Sequence, residues 1–383
     1  MSYKISAVNI PLTDITYKSN MYFSVTRNSS LPKAMRSTKA LRSKELPSDN
    51  EGWGLILVDN SEKIMKGENH IKINDQLRYI DEDDVIKFNP SNNSIGALYR
   101  HRANANGFLL TEQCNSFCIM CSQPPKKVND LHLFDNLFKS LPLIPKSCRE
   151  ITFTGGEPTI NFNYFLEALR RAKFHLPNTS IHVLSNGRNF INEDKAKDVS
   201  KIAHHDVMFG IPLYSDDMEI HDFVVQSKGA FDETIKGILN LYKYKIKVEI
   251  RVVVHKYTWE RLPELSEFIS RNLPFVSHVN FMGLEKEGFG NLNFKDLWVD
   301  PEIFMENFDI AVNHLDMMGI PVRLYNYPLC MLPDSLWERA IVSISDWKND
   351  FRDECNACNL KDKCCGLFKS LANEELVKVR PIG

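Results

Sequence analysis

Residues 107–121 read Gly-Phe-Leu-Leu-Thr-Glu-Gln-Cys-Asn-Ser-Phe-Cys-Ile-Met-Cys. The apolar run at 108–110 has the length of a buried strand, and it breaks off into a polar loop carrying Cys114, Cys118 and Cys121. Pro124 and Pro125 keep that loop from turning helical too early. The same junction recurs downstream. Apolar runs at 151–153, 181–184, 207–213, 248–254 and 279–282 lead into TGGEP, SNG, YSDD, HKYT and GLEKEG. Helical faces lie between them: Phe162, Phe165, Leu166 and Leu169; then Phe231, Ile235, Ile238 and Tyr242; then Leu262, Leu265, Phe268 and Ile269. Six β–α units in a row predict an α/β fold, a parallel sheet with covering helices. A six-unit partial barrel and an open doubly wound sheet both fit that count. In either, the polar and glycine-rich loops gather at the carboxyl ends of the strands, where α/β enzymes build their sites.

Working outward, residues 1–100 form a small, partly β accessory domain, with apolar runs at 53–58 and 85–88 and a turn at 90–94. Residues 101–300 hold the β–α units. Residues 301–383 hold a helix at 302–318, a short strand at 322–325 and a cysteine-rich tail. A net charge of -2 gives no electrostatic reason to expect nucleic acid or a membrane surface. Residues 1–20 carry no apolar stretch of signal-peptide length, and no run is long enough to span a bilayer. The expected compartment is the cytoplasm, where thiols stay reduced. Nine cysteines there point to metal rather than disulfides.

Three thiolates on one short loop can ligate three corners of an iron–sulfur cube and leave the fourth iron open for a ligand. The competing reading is structural zinc, completed by His101 or His132. On the facing loop, Gly155 and Gly156 allow close backbone approach, and Glu157 can accept hydrogen bonds from an ammonium group. Pro158 would open the following helix. Ser185 and Asn186 could bind ribose or carboxylate, or simply turn the chain. Ser215 could meet ribose hydroxyls, with Asp216 as a helix N-cap or, with Asp217, a metal-binding carboxylate pair. Arg251 wants a carboxylate, either a ligand's or an inter-strand partner's. His255 sits at a strand end, as a solvated loop histidine or facing the site. His204 and His205 end a helix.

In the tail, Cys330, Cys355, Cys358 and Cys364 could fully ligate a second cluster or a zinc ion, with Cys365 as the alternative fourth ligand. Cys148 is expected to be a buried core thiol.

These residues resemble the radical SAM superfamily: Cys114, Cys118 and Cys121 match its three-cysteine motif, and Gly155, Gly156, Glu157 and Pro158 its second. The resemblance covers about residues 107–290. It implies a partial (β/α)6 TIM-like barrel, a [4Fe-4S] cluster with an open iron site, and S-adenosyl-L-methionine as cosubstrate. It also implies cleavage of that cosubstrate to a 5′-deoxyadenosyl radical. Met120 stands where many members place an aromatic residue near the adenine. The tail resembles the SPASM or twitch extensions of peptide-modifying members, which implies an auxiliary [4Fe-4S] cluster. The strings TEQCNSFCIMCSQPP, TGGEPT, GIPLYSDD, PLCMLPDSLW and SISDWKN are similar to the radical SAM maturases of the His-Xaa-Ser system. That similarity runs from about residue 85 to the end. It implies a peptide substrate with His-Xaa-Ser repeats, a sister radical SAM protein, and an electron donor such as flavodoxin or ferredoxin. Other readings are a radical SAM enzyme acting on a nucleobase or small molecule, and a zinc-stabilised interaction module without catalysis.

Overall fold

The computed structural model describes residues 8–9, 17, 19–59, 69–342 and 348–383. Most of the SISDWKN string, residues 343–347, lies outside the described residues.

The first sheet holds β1 (Val8–Asn9), β2 (Met21–Thr26), β3 (Lys39–Ser43), β4 (Leu55–Val58), β5 (His70–Lys72), β6 (Val85–Asn89) and β7 (Ser94–Tyr99). Its order is β1-β7-β6-β2-β3-β4-β5, with β2 through β5 parallel and the rest antiparallel. Phe23, Val25, Leu55, Leu57, Ile86 and Phe88 form its core.

The second sheet contains β8 (Gly107–Thr111), β9 (Glu150–Gly155), β10 (Ser180–Leu184), β11 (Val207–Pro212), β12 (Lys247–Val253), β13 (Val279–Met282), β14 (Val322–Tyr325) and β15 (Ala340–Ile341). All neighbours are parallel and follow chain order without reversal. A doubly wound sheet reverses its strand order at a switch point. This sheet does not, so it is a half-barrel. The six expected strands are all present, and β14 and β15 extend the same sheet beyond residue 300. The central residues of β9 and β10 are buried, which is why these strands read as unbroken apolar runs.

The helices are α1 (His132–Ser140), α2 (Phe162–His175), α3 (Glu193–Ile202), α4 (Met218–Val225), α5 (Ala230–Lys243), α6 (Leu262–Asn272), α7 (Gly288–Leu292), α8 (Phe294–Leu297) and α9 (Pro301–Met317). α2 buries Phe165, Leu166 and Leu169, as their spacing predicts. On α5 the buried face is rotated: Thr234, Ile238 and Leu241 point inward, and Tyr242 lies outside, stacked on Phe275 at 3.7 Å. Two predicted helix starts also move. Pro158 precedes α2, which begins four residues later, and the N-cap of α4 is Asp217 rather than Asp216. Asp217 accepts hydrogen bonds from the backbone of Glu219 (2.8 Å) and Ile220 (3.2 Å). α3 ends at Ile202, just before His204 and His205.

The two sheets share packing. Val85, Leu98 and Tyr99 join the half-barrel core beside Phe108 and α1, and the Tyr22 hydroxyl donates to Asn136 on α1 at 2.8 Å. The last short pair, β16 (Asn349–Asp350) and β17 (Leu367–Phe368), folds the tail back toward the barrel mouth. Among the described residues no helix is long and apolar enough to cross a membrane.

Candidate functional site

At the carboxyl ends of the strands lies a cavity of about 280 Å³. Cys114, Cys118, Cys121 and Met120 line it, with Gly155 and Gly156 from the end of β9. Ser185 and Asn186 follow β10, and Arg251 comes from β12. Nine of the expected residues therefore meet at one place.

The cysteine loop and the Gly-Gly-Glu loop are bonded to each other. Gly156 N–H donates to Thr111 O (2.9 Å) and Glu157 N–H to Gln113 O (2.8 Å). A Cβ on Gly155 would overlap Thr111 O, and one on Gly156 would overlap Gln113 O. The glycines are thus required by the close approach of the two loops as well as by access to a ligand. The cysteine loop has further supports. Its Phe117 and Ile119 N–H groups donate to Val225 O and Val224 O at 3.0 Å each. Arg188 donates to Asn115 O (2.6 Å) and Ser116 Oγ (2.9 Å), and pairs with Glu233 at 2.6 Å. Buried Asp130 accepts from Thr111 Oγ1 (2.9 Å) and Gln113 Nε2 (3.2 Å) at the loop's start.

Burial pushes the Cys114 thiol up to about 12, helped by the nearby Glu157 carboxylate, and shifts Cys118 and Cys121 upward as well. A thiolate in such a place wants a bound cation to stabilise it. Among the described residues no three His, Cys, Asp or Glu groups are gathered as for a single metal ion. An iron–sulfur cube spreads its ligands over separate irons and sets a wider spacing. The three thiols on one cavity suit that group. His101 and His132 do not line the cavity, so the zinc reading lacks its expected fourth ligand there.

Three expected contacts change. Glu157 is 0% exposed and does not line the cavity. Its carboxylate accepts from Thr159 N (2.9 Å), Thr159 Oγ1 (2.5 Å), Ser185 Oγ (2.9 Å) and Asn186 N (2.7 Å). It ties the ends of β9 and β10 together rather than offering itself to an ammonium group. Pro158 is buried behind it. Ser215 is 0% exposed and accepts from Asp217 N at 3.1 Å, so it shapes a turn. Asp216 pairs with Arg261 at 2.9 and 2.5 Å.

Arg251 keeps its place on the cavity wall. Its partner is Glu249 (2.8 Å), two residues back on the same strand rather than across strands, and its Nη2 lies 3.2 Å from Met282 Sδ. His255 is buried, not solvated: it accepts from Tyr257 N at 3.2 Å, and its pKa falls to about 3 through burial. Tyr214, Glu285, Asn326, Lys348 and Phe368 also line the cavity; Tyr214 and Glu285 lie in the YSDD and GLEKEG loops and Lys348 in the SISDWKN string, but none of the five was singled out as a site residue.

The tail forms a second, small cavity of about 20 Å³, lined by Cys330, Cys355, Cys358 and Cys364. Cys364 Sγ accepts from Leu329 N and Gly366 N at 3.4 Å each, and Cys358 Sγ from Ile382 N at 3.4 Å. Cys365 is buried and does not line this cavity. Cys148 is buried in the half-barrel core.

Residues 108–269 match the family model of the Radical SAM superfamily, which places a radical SAM domain in this chain. MJ0907, an uncharacterized protein of Methanocaldococcus jannaschii, is 30% identical over 179 residues, covering 45% of this chain and 59% of that protein. Streptococcus suis SuiB, in a crystal structure with S-adenosylmethionine, superposes with a TM-score of 0.45 at 14% identity, over 58% of this chain and 52% of that one. For anSMEcpe with bound AdoMet the TM-score is 0.44 at 20% identity, over 57% and 62%. This chain spans less than two thirds of the length of each of these relatives.

Proposed function

We propose that this chain is a radical SAM enzyme that modifies a ribosomally made peptide of the His-Xaa-Ser repeat type. The observation that carries the first part is the cysteine loop hydrogen-bonded to the Gly-Gly-Glu loop at the mouth of a parallel half-barrel. Cys114, Cys118 and Cys121 would hold three corners of a [4Fe-4S] cluster, leaving one iron for S-adenosyl-L-methionine. Bound there and reduced, the cluster would supply the one-electron chemistry needed to cleave this cosubstrate. The chain's own work is placement and exclusion of water. Arg251 offers a cation to a carboxylate. Asn186 and the backbone of Gly155 and Gly156 offer polar contacts, and Met120 an apolar wall. Ser185 already donates to Glu157, so toward a ligand it acts only as an acceptor.

The peptide reading rests on the similarity of the TEQC, GIPLYSDD and PLCMLPDSLW strings to the His-Xaa-Ser maturases. It extends to a sister radical SAM protein and a flavodoxin or ferredoxin as electron donor. Residues 1–100, 101–300 and 301–383 would serve as accessory, catalytic and auxiliary-cluster regions of a cytoplasmic enzyme. The test is anaerobic purification followed by dithionite, S-adenosylmethionine and a peptide with His-Xaa-Ser repeats. The expected result is a brown protein with iron and labile sulfide, release of 5′-deoxyadenosine, and a mass change on the peptide. A colourless protein holding only zinc points instead to the interaction module. 5′-Deoxyadenosine with an unaltered peptide removes the substrate and leaves the nucleobase or small-molecule reading.

In the tail, Cys330, Cys355, Cys358 and Cys364 are proposed to bind an auxiliary [4Fe-4S] cluster. The N–H groups directed at Cys364 and Cys358 support it, since such hydrogen bonds stabilise charge on the sulfurs. The Cys364→Ala variant is expected to lose the iron of this second site, and Cys365→Ala to keep it. Iron and sulfide per chain decide between them. Equal loss in both would return Cys365 to the ligand set.

A further inference from the structure

β14 ends at Tyr325, and the next residue, Asn326, lines the cavity in a left-handed backbone conformation, with φ 67°. Side chains crowd the backbone there, so few residues but glycine adopt it without cost. Among the described residues, the other five non-glycine residues of positive φ have ordinary reasons for it. Ala203 and Gln226 close α3 and α4, Lys245 follows α5, and Asp83 and Asn93 turn the chain within the first sheet. Asn326 closes no helix and joins no hairpin. Its turn is fixed from the loop after β13. Gly283 N–H donates to Tyr325 O at 2.9 Å, and a Cβ on Gly283 would meet Asn326 O at 2.7 Å.

An asparagine in a turn usually folds its amide back onto its own backbone. The Asn326 amide makes no hydrogen bond with any described residue, and it is not sealed within the protein. Asn186, on the same cavity, is braced instead: its Nδ2 donates to Asn115 Oδ1 at 2.6 Å, and its Oδ1 accepts from Arg188 N at 3.1 Å. A strained residue with an unspent donor and acceptor on a ligand cavity points to a ligand. A carboxamide has two N–H donors and one carbonyl acceptor. An anion would use only the donors and a cation only the oxygen, whereas another amide takes one of each. The adenine edge of the cosubstrate offers a similar pair of groups. Asn326 stands two strands beyond Arg251, away from the strand that leads into the cysteine loop, and that favours the peptide. We propose that Asn326 is a substrate-binding residue: its Nδ2 donates to a backbone carbonyl oxygen of the peptide, and its Oδ1 accepts from a backbone N–H of the same peptide. This rests on the peptide reading above, and it names the backbone, rather than a histidine or serine side chain, as the group held.

The informative variant is Asn326→Gly. Glycine adopts the same left-handed backbone, so the fold is kept and only the carboxamide is lost. The assay uses the cluster-loaded enzyme, dithionite, S-adenosylmethionine and the His-Xaa-Ser repeat peptide. The KM for peptide is expected to rise about tenfold, the order of one or two lost hydrogen bonds. The KM for S-adenosylmethionine and the thermal midpoint should stay near their wild-type values. Asn326→Asp tolerates the same backbone but replaces the donor by a negative charge, and it should raise the peptide KM as Asn326→Gly does. A wild-type peptide KM in either variant overturns the assignment. So does a KM for S-adenosylmethionine raised as much as that for the peptide, or in its place, which would give the amide to the adenine edge. If the wild type releases 5′-deoxyadenosine but leaves the peptide unaltered, the peptide reading itself fails and this assignment falls with it. Should Asn326→Gly not fold, Asn326→Asp decides by the same two constants.

Discussion

The triple variant Cys114→Ala, Cys118→Ala, Cys121→Ala is expected to fold, to lose the iron and sulfide of the first site, and to release no detectable 5′-deoxyadenosine. Loss of one supporting group around a metal costs roughly 10–100-fold in affinity or activity, and removing every protein ligand to a cluster must cost far more. The fold should survive because the loop is held by groups other than the thiols. Backbone bonds tie Thr111 and Gln113 to Gly156 and Glu157, Asp130 braces the loop's start, and Arg188 its middle. Burial raises the pKa of all three thiols above its ordinary value, so at neutral pH the metal-free loop carries them protonated, and the alanines remove no buried charge. Circular dichroism and the thermal midpoint of the metal-free proteins should therefore be close to wild type, with the iron of the tail retained. Unchanged 5′-deoxyadenosine release by a folded triple variant would remove the chemistry assigned to this loop.

The half-barrel was legible because its strands are buried on both faces and so read as continuous apolar runs, each ended by a polar loop. The residues those loops bring together were legible for the same reason. Which way each side chain turns was not. Glu157 and Ser215 sit in the loops they were expected to occupy, yet point into the protein, where their partners include the backbone N–H groups of Thr159, Asn186 and Asp217, which no residue pattern displays. The first sheet was read only in part. Two of its strands stood out as apolar runs, but among the described residues its parallel set from β2 to β5 shows no intervening α-helix, so the usual strand–helix rhythm gives no signal there. Asp130, Arg188 and Lys348 depend on contacts distant in sequence. Lys348 bonds to Glu285, 63 residues away, and a lysine in a polar tail gives no local sign of burial.

Beneath the cavity, Glu249 is the residue whose loss should damage the fold most. Its side chain is 2% exposed, with Arg251 at 2.8 Å, His182 Nε2 at 3.1 Å and His278 Nε2 at 2.7 Å, while Arg323 reaches His278 at 3.4 Å. Only a glycine at position 210 leaves room, since a Cβ there would come within 2.8 Å of Glu249 Oε1. Replacing Glu249 by alanine leaves the Arg251 guanidinium buried without its carboxylate, and breaking such a pair costs about 3–5 kcal/mol. Glu249→Gln keeps the shape and removes only the charge. Burial alone would raise the Glu249 pKa, but His182, His278 and Arg251 together hold it well below the ordinary carboxylate range. The sign follows. The unfolded carboxyl titrates near pH ~4.3, and the folded one lower. The stabilisation is therefore complete above that pH and is lost as pH falls below it toward the folded value. Urea midpoints of wild type and Glu249→Gln should differ most at pH 7 and converge below about pH 4.3. A gap that stays constant from pH 7 to about pH 3.5 would mean that the charge of Glu249 does not hold this layer together. The same layer anchors Arg251 on the cavity wall, so the variant should also weaken whatever carboxylate that guanidinium receives.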